Sequence, residues 1–197
     1  MANTRNSVRI IGGKWRGRKL TFGSFDGLRP TADRGRETLF GWLDPHLSDS
    51  HCLDLFAGSG SLGFEALSRG AATATMVDVR AMVVAQLTLE AARLGAVPVI
   101  VRADARNWLR RAQADARRYD VIFLDPPFAA NLLDETLTMA CAIASPRGVI
   151  YVEHPQHGAP PHVPPGWTTS RAAVRGAACL ALLTRVPADV VDPGPGP

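Results

Sequence analysis

Beyond His51 the chain alternates short apolar runs with longer stretches of helical periodicity. The runs Cys52–Phe56, Thr75–Val79, Val97–Val101, Val121–Leu124 and Val149–Val152 predict strands, and Leu62–Arg69, Ala81–Leu94, Ala105–Arg117 and Leu132–Ala144 predict helices between them. Gly70 and Gly95 stand where helix C-caps belong. So regular an alternation implies a parallel sheet covered on both faces, in which ligands bind beyond the C-terminal ends of the strands. Two further runs, Trp167–Val174 and Ala177–Arg185 around Gly176, predict a closing antiparallel pair and bring the expected sheet to seven strands. Upstream, Val8–Ile11 and Arg18–Leu20 predict a small hairpin turned by Gly12-Gly13-Lys14-Trp15-Arg16-Gly17. Asp33 is placed to N-cap a helix reaching about Leu43, with Leu39, Phe40 and Leu43 on its apolar side. The expected organisation is an N-terminal hairpin extension over residues 1–30, an α/β domain over 31–186, and a Pro/Gly tail over 187–197 with the composition of a disordered segment.

Charge sharpens the reading of the extension. Residues 1–36 hold nine basic side chains (Arg5, Arg9, Lys14, Arg16, Arg18, Lys19, Arg29, Arg34 and Arg36) against Asp26 and Asp33, a local +7 within a total of +4, so the rest sums to −3. Such a segment is the footprint of a polyanion partner, because each phosphate it neutralises releases counterions. Trp15, within the basic turn, is placed either to stack on a base or to pack against the domain. A hydrophobic content of 46% with 20% charged residues fits a globular protein. No apolar run approaches the roughly eighteen residues of a membrane span and the N-terminus lacks the apolar segment of a signal peptide, so the expected address is the cytoplasm. Cys52, Cys141 and Cys179 form no Cys-x-x-Cys, which points away from a disulfide framework and from a zinc knuckle. His154, His157 and His162 share the Pro-rich loop 154–166 without the spacing of metal ligands, and no metal is expected.

The candidate chemistry falls at the ends of the predicted strands. Asp54-Leu55-Phe56-Ala57-Gly58-Ser59-Gly60-Ser61-Leu62-Gly63 is a strand, a glycine loop and a helix start, with the glycine spacing of a dinucleotide fingerprint. Asp54 changes its meaning: a carboxylate at the mouth of the loop repels a pyrophosphate and favours the ammonium and sulfonium charges of S-adenosylmethionine. Asp78, followed by Val79, ends the second strand where a carboxylate accepts from ribose hydroxyls. Asp104 follows the third strand, suited to accept from an adenine amine beside the Ala105 N–H, or to cap the next helix. Asp125-Pro126-Pro127-Phe128 closes the fourth strand. In isolation it is a turn; with the glycine loop it becomes a corner for an exocyclic amine. The Asp125 carboxylate and the Pro126 carbonyl accept one N–H each and aim the nitrogen lone pair at a methyl donor, the prolines stiffen the corner, and Phe128 stacks on the base. A base reaches such a pocket only unpaired or flipped.

These motifs together resemble the bacterial 16S ribosomal RNA guanine-N2 methyltransferases of the RsmD type, a class I S-adenosylmethionine-dependent family. The resemblance runs from Arg9-Ile10-Ile11-Gly12-Gly13 and Arg16-Gly17-Arg18-Lys19-Leu20, through Arg29-Pro30-Thr31, Asp33-Arg34 and Arg36-Glu37-Thr38-Leu39-Phe40, to Asp54–Gly60, Glu65-Ala66-Leu67-Ser68-Arg69, Asp125–Phe128 and Tyr151-Val152-Glu153. It implies a Rossmann-like class I methyltransferase fold, S-adenosyl-L-methionine as cofactor, and 16S rRNA in an assembling small subunit as partner of a monomeric enzyme. It implies further that Asp125 and Pro126 hold the guanine amine and that Asp54, Gly58, Gly60, Asp78 and Asp104 hold the cofactor, with Phe56, Ala57, Ser59, Val79 and Ala105 lining its site. The rRNA would be gripped by Arg9, Lys14, Trp15, Arg16, Arg18, Lys19, Arg29, Thr31 and Arg34. Arg80 departs from the pattern, standing where the family often has a second acidic or amide residue, as does His154, where a small polar residue is common. Adenine-N6 methylation by the same corner, a nicotinamide-dependent oxidoreductase and a non-catalytic RNA-binding assembly factor are the competing readings, and the residues alone leave guanine and adenine equal.

Overall fold

Alternation of apolar side chains builds a sheet with two dry faces. In the computed structural model, which describes residues 6–23, 33–127, 132–157 and 159–187, the elements run β1 (Asn6–Arg9), β2 (Lys19–Phe22), α1 (Asp33–Leu47), β3 (His51–Asp54), α2 (Ser61–Ser68), β4 (Thr73–Asp78), α3 (Ala81–Leu94), β5 (Val99–Arg102), α4 (Ala105–Ala114), β6 (Tyr119–Leu124), α5 (Leu133–Ile143), β7 (Ala144–Pro155), β8 (Trp167–Arg175) and β9 (Ala178–Arg185). Seven strands form one sheet in the order β5-β4-β3-β6-β7-β9-β8. Strands β3 to β7 are parallel, and β9 lies antiparallel to both β7 and β8. Strand order reverses between β3 and β6, so the loop after β3 opens at the crevice where such sheets take ligands. Among the described residues no helix is long and apolar enough to cross a membrane.

The two faces are covered differently. Cys52, Ala74, Met76, Val121, Phe123, Val149 and Tyr151 point to the face packed by α1, α2, α3 and the hairpin, while Leu53, Val77, Ile122, Leu124, Ile150 and Val152 point to α4 and α5. Within α1, Leu39, Phe40, Leu43 and Leu47 are all buried, which carries the helix one turn beyond the expected Leu43 despite Pro45. Burial of Leu47 outweighs the lost N–H of a proline in the last turn. Strand β7 starts eleven residues after the first residue of α5, from Ala144, and extends to Pro155, beyond the expected Val149–Val152 at both ends. Pro146 and Gly148 disguise its first half, where the ladder with β6 shifts register between Tyr119 and Val121. His154 and Pro155, expected in a loop, pair with Cys179 and Ala178.

The hairpin pairs Asn6 with Phe22 through Arg9 with Lys19, and its turn holds a short 3-10 segment, Gly13–Trp15. It is bolted to the domain. Glu65 on α2, fully buried, accepts from the backbone N–H of Ile11 and of Gly12, each at 2.7 Å, and from Arg69 Nε at 2.7 Å. Arg36 on α1, equally buried, lies 3.7 Å from Glu65 and donates to the Arg9 carbonyl at 2.7 Å. Ser68 Oγ donates to the Gly12 carbonyl and accepts from the Trp15 N–H. On the other side Thr21 donates to Glu90 of α3 at 2.6 Å, and Arg93 donates to the Lys19 carbonyl. Gly13, at φ 71°, packs so tightly on the Ser68 backbone that a Cβ would lie 1.7 Å from its carbonyl oxygen.

Removing one partner of a buried charge pair leaves the other uncompensated. Glu65→Ala is expected to lower unfolding free energy by about 3–5 kcal/mol, read by urea denaturation, and to expose the hairpin to limited proteolysis before global unfolding. A loss under about 1 kcal/mol would remove Glu65 from its anchoring role.

Candidate active site

The rim of the sheet brings together carboxylates that the sequence places far apart. Asp54, Asp78 and, by continuation of the strand alternation, Asp125 and Glu153 belong to the face that carries Cys52, Met76, Phe123 and Tyr151. Asp54 at the end of β3 is 2% exposed, and its Oδ2 accepts from the Gly63 N–H at 3.1 Å. It clamps the first turn of α2 onto the strand. Burial pushes its carboxyl up to about 7 and the charge of Asp78 pushes the same way, against the stabilising amides of Gly63 and Phe56.

Between these ends the loop is shaped by backbone requirements. Gly60 adopts φ 77°, and a Cβ there would lie 2.6 Å from Leu87 and 2.7 Å from the Phe64 ring. The Gly60 N–H closes on the Ala57 carbonyl at 2.7 Å, while the Ala57 N–H donates to Val77 of β4 at 2.9 Å. Ser59 is buried, Gly58 half-buried, and Phe56 packs toward the opposite core. Asp78 holds the loop from the next strand: its Oδ2 accepts from the Gly58 N–H at 3.2 Å.

Arg80, the departure from the family pattern, is now placed. Its backbone N–H and its Nε reach Asp78 Oδ1 at 2.9 and 3.0 Å, and its Nη2 reaches Oδ2 at 3.0 Å. The guanidinium therefore spans both oxygens of the carboxylate that the sequence assigns to ribose hydroxyls. Val79 beside it is 61% exposed. Asp104 is the N-cap of α4, its Oδ1 accepting from Arg106 N at 3.0 Å and Asn107 N at 3.2 Å. Partial desolvation raises its carboxyl, but those amides and the Arg106 guanidinium outweigh it and hold it below the usual carboxylate range. Ala105 is buried at the start of that helix.

At the end of β6, Asp125 is half-buried, Pro126 buried and Pro127 exposed; Phe128 lies outside the described residues. Adjacent to this corner the sequence drew attention to Tyr151-Val152-Glu153 only as a family string. Tyr151, fully buried, donates its hydroxyl to Glu153 Oε2 at 2.8 Å, and Glu153 is 7% exposed. The signal was a carboxylate two residues after a buried tyrosine in an otherwise apolar strand. Among the described residues no group of three or more His, Cys, Asp or Glu could hold a metal ion.

The basic residues divide. Arg9, Lys14, Arg16, Arg18 and Lys19 are exposed on the hairpin and Arg34 on α1, and a groove lined by Arg9, Arg16, Lys19 and Glu37 opens between them. Trp15 is 7% exposed, its ring part of the core and covered by Lys14 Nζ at 4.2 Å, so of the two placements the sequence allowed the structure takes packing. Arg36 is turned inward to Glu65 and adds nothing to the surface charge. Arg29 and Thr31 lie outside the described residues, as does most of the Pro/Gly tail.

A family model described as conserved hypothetical protein 95 matches residues 8–184. Ribosomal RNA small subunit methyltransferase D of Escherichia coli strain K12 is 42% identical over 181 residues, 90% of each chain. A solved structure of a proposed methyltransferase from Escherichia coli, 42% identical, superposes with a TM-score of 0.78 over 91% of this chain and 98% of that one. More distantly, a Thermus thermophilus 16S rRNA N2 methyltransferase in complex with AdoMet and guanosine shares the fold at a TM-score of 0.66 and 20% identity, over 92% of this chain and 50% of that one. With a family model spanning residues 8–184 and a relative 42% identical across 90% of both chains, this chain belongs to the ribosomal RNA small subunit methyltransferase D family.

Proposed function

We propose that the protein methylates the exocyclic N2 of a guanine in 16S rRNA, acting as a monomer on the assembling small subunit in the cytoplasm. The observation that carries this reading is the Asp125-Pro126 corner on the same rim and face as the Asp54 loop, in a domain whose hairpin, packed on that face, exposes basic side chains. S-adenosylmethionine, when bound, supplies a methyl group on a sulfonium.

The residues present suit that cofactor. A loop flanked by two buried carboxylates, with a glycine at 60 whose Cβ would collide with Leu87 and Phe64, admits close backbone approach and attracts positive charge. Asp54 and the loop from Phe56 to Gly60 would hold the amino-acid portion, Asp78 the ribose, and Asp104 with Ala105 and Val79 the adenine. Asp125 and the Pro126 carbonyl accept the two amine hydrogens and turn the N2 lone pair outward, an orientation the conjugated amine does not adopt unaided. The methylated amine would then surrender one proton to Asp125 or to water. Arg9, Lys14, Arg16, Arg18, Lys19 and Arg34 would neutralise phosphates on the approach.

Replacing Asp125 with Ala is expected to reduce methyl transfer to small subunits from cells lacking the protein by at least about 100-fold, with S-adenosylhomocysteine affinity changed less than about threefold. Near-normal turnover would reject the corner as the amine site. A second expectation concerns pH. The Asp54 carboxyl is raised from 3.8 to about 7, so the ligand-free fold binds its proton more tightly than the unfolded chain, and stability falls as pH rises through that window. A cationic cofactor favours the ionised form. Calorimetric affinity for S-adenosylmethionine should therefore rise from pH 6 toward pH 8, by up to about tenfold per unit below the pKa, and Asp54→Asn should flatten the profile. An identical slope in the variant would assign the pH dependence elsewhere.

A further inference from the structure

We propose that Glu153 reads the Watson–Crick edge of the base held at Asp125, accepting the guanine N1–H beside the amine, and thereby makes the site select guanine over bases whose N1 is an acceptor. This rests on the guanine-N2 reading above and supplies what the Asp-Pro-Pro-Phe corner lacks, since that corner suits any exocyclic amine.

The geometry begins with register. Strands β6 and β7 are parallel with Leu124 opposite Val152, so the next residues on each, Asp125 and Glu153, emerge side by side at the C-terminal rim. Phe123 and Tyr151 lie one step below on the same face, ring centroids 6.4 Å apart. Tyr151 links the two carboxylates. Its hydroxyl donates to Glu153 Oε2 at 2.8 Å, and it is raised well above 10, first by burial and then by the charges of Glu153 and Asp125, so both carboxylates lie within electrostatic reach of one phenol. On its other side Glu153 is in register with Leu180 of β9, which is buried. A carboxylate at 7% exposure and a tyrosine at 0% are costly occupants of a strand end whose neighbours Ile150 and Val152 are apolar. A phenol donating to Oε2 holds the Glu153 side chain in one orientation at the strand end.

Guanine presents two adjacent donors, N1–H and the N2 amine, to a pair of acceptors; adenine presents its N6 amine beside an unprotonated N1. An ionised carboxylate facing that N1 sets lone pair against lone pair, and a site built for an N–H rejects the analogue lacking it far more strongly than apolar contact could. Glu153 touches the base and no bond to it changes, so it acts as a specificity-determining residue, with Tyr151 positioning it.

The test replaces the acceptor guanine, first located with the wild-type protein, by 2-aminopurine, which keeps the C2 amine but carries an unprotonated N1. Single-turnover kcat/KM is measured on 16S rRNA assembled into small subunits with either base. In Glu153→Gln the amide can donate to N1, so the guanine preference should fall by at least about tenfold relative to wild type, with S-adenosylhomocysteine affinity within about twofold. Comparing preferences cancels the intrinsic reactivity of the two amines. Tyr151→Phe, which removes only the hydroxyl, should lower the preference in the same direction and guards against a Glu153 variant that fails to fold. A preference unchanged in both, even with slower transfer to each base, would make the pair structural and overturn the proposal. A wild-type protein that methylates no guanine N2 overturns the parent reading as well, and so separates the two failures.

Discussion

One buried carboxylate, Glu65, carries the geometry on which everything else depends. It receives the backbone of the hairpin turn at Ile11 and Gly12, the Arg69 side chain from its own helix and the Arg36 charge from α1. Its helix, α2, opens with the glycine loop, and the Gly63 N–H of that helix is held by Asp54. Hairpin, α1, glycine loop and β3 are therefore consecutive links in one hydrogen-bonded chain. Charges are taken out of water at a cost that paired, hydrogen-bonded charges offset, and breaking one link exposes the rest. On the proposed function, fixing the hairpin relative to the rim would convert contacts with the RNA backbone into positional selectivity.

The rim itself follows from strand parity. Because side chains alternate strictly, the C-terminal residues of β3 and β4 and those just beyond β6 fall on the face that the hairpin also covers, and negative charge gathers on the rim as positive charge gathers on the hairpin. On the proposed function, a cationic donor and a polyanionic acceptor would thereby be drawn to different surfaces. Arg80 adjusts this balance locally, because its bidentate pairing offsets the charge of Asp78.

Much of this was legible in the chain. The strand and helix alternation, α3 from Ala81 to Leu94, the cap at Gly95 and the glycine loop depend on local patterns, and the structure reproduces them. What eluded sequence reasoning is decided by tertiary partners. Trp15 sits among cations as a stacking residue would, yet Ser68 and the hairpin core bury it. Arg36 counts as surface charge until Glu65, with β3 between them in the chain, neutralises it. The first half of β7 is masked by Pro146 and Gly148, and the adjacency of Asp125 and Glu153 emerges only when β6 and β7 are set in register. Phe128, Arg29 and Thr31 lie outside the described residues, so their part in the site stays with the proposal.

The most direct measurement of the account is the N2-methylguanosine inventory of small-subunit rRNA, by mass spectrometry of nuclease fragments from cells with and without the gene. The account predicts that one fragment loses a single N2-methyl and regains it when the purified protein and S-adenosylmethionine are added to the mutant's small subunits. An unchanged inventory, or loss of a methyl from any other base position, would contradict it.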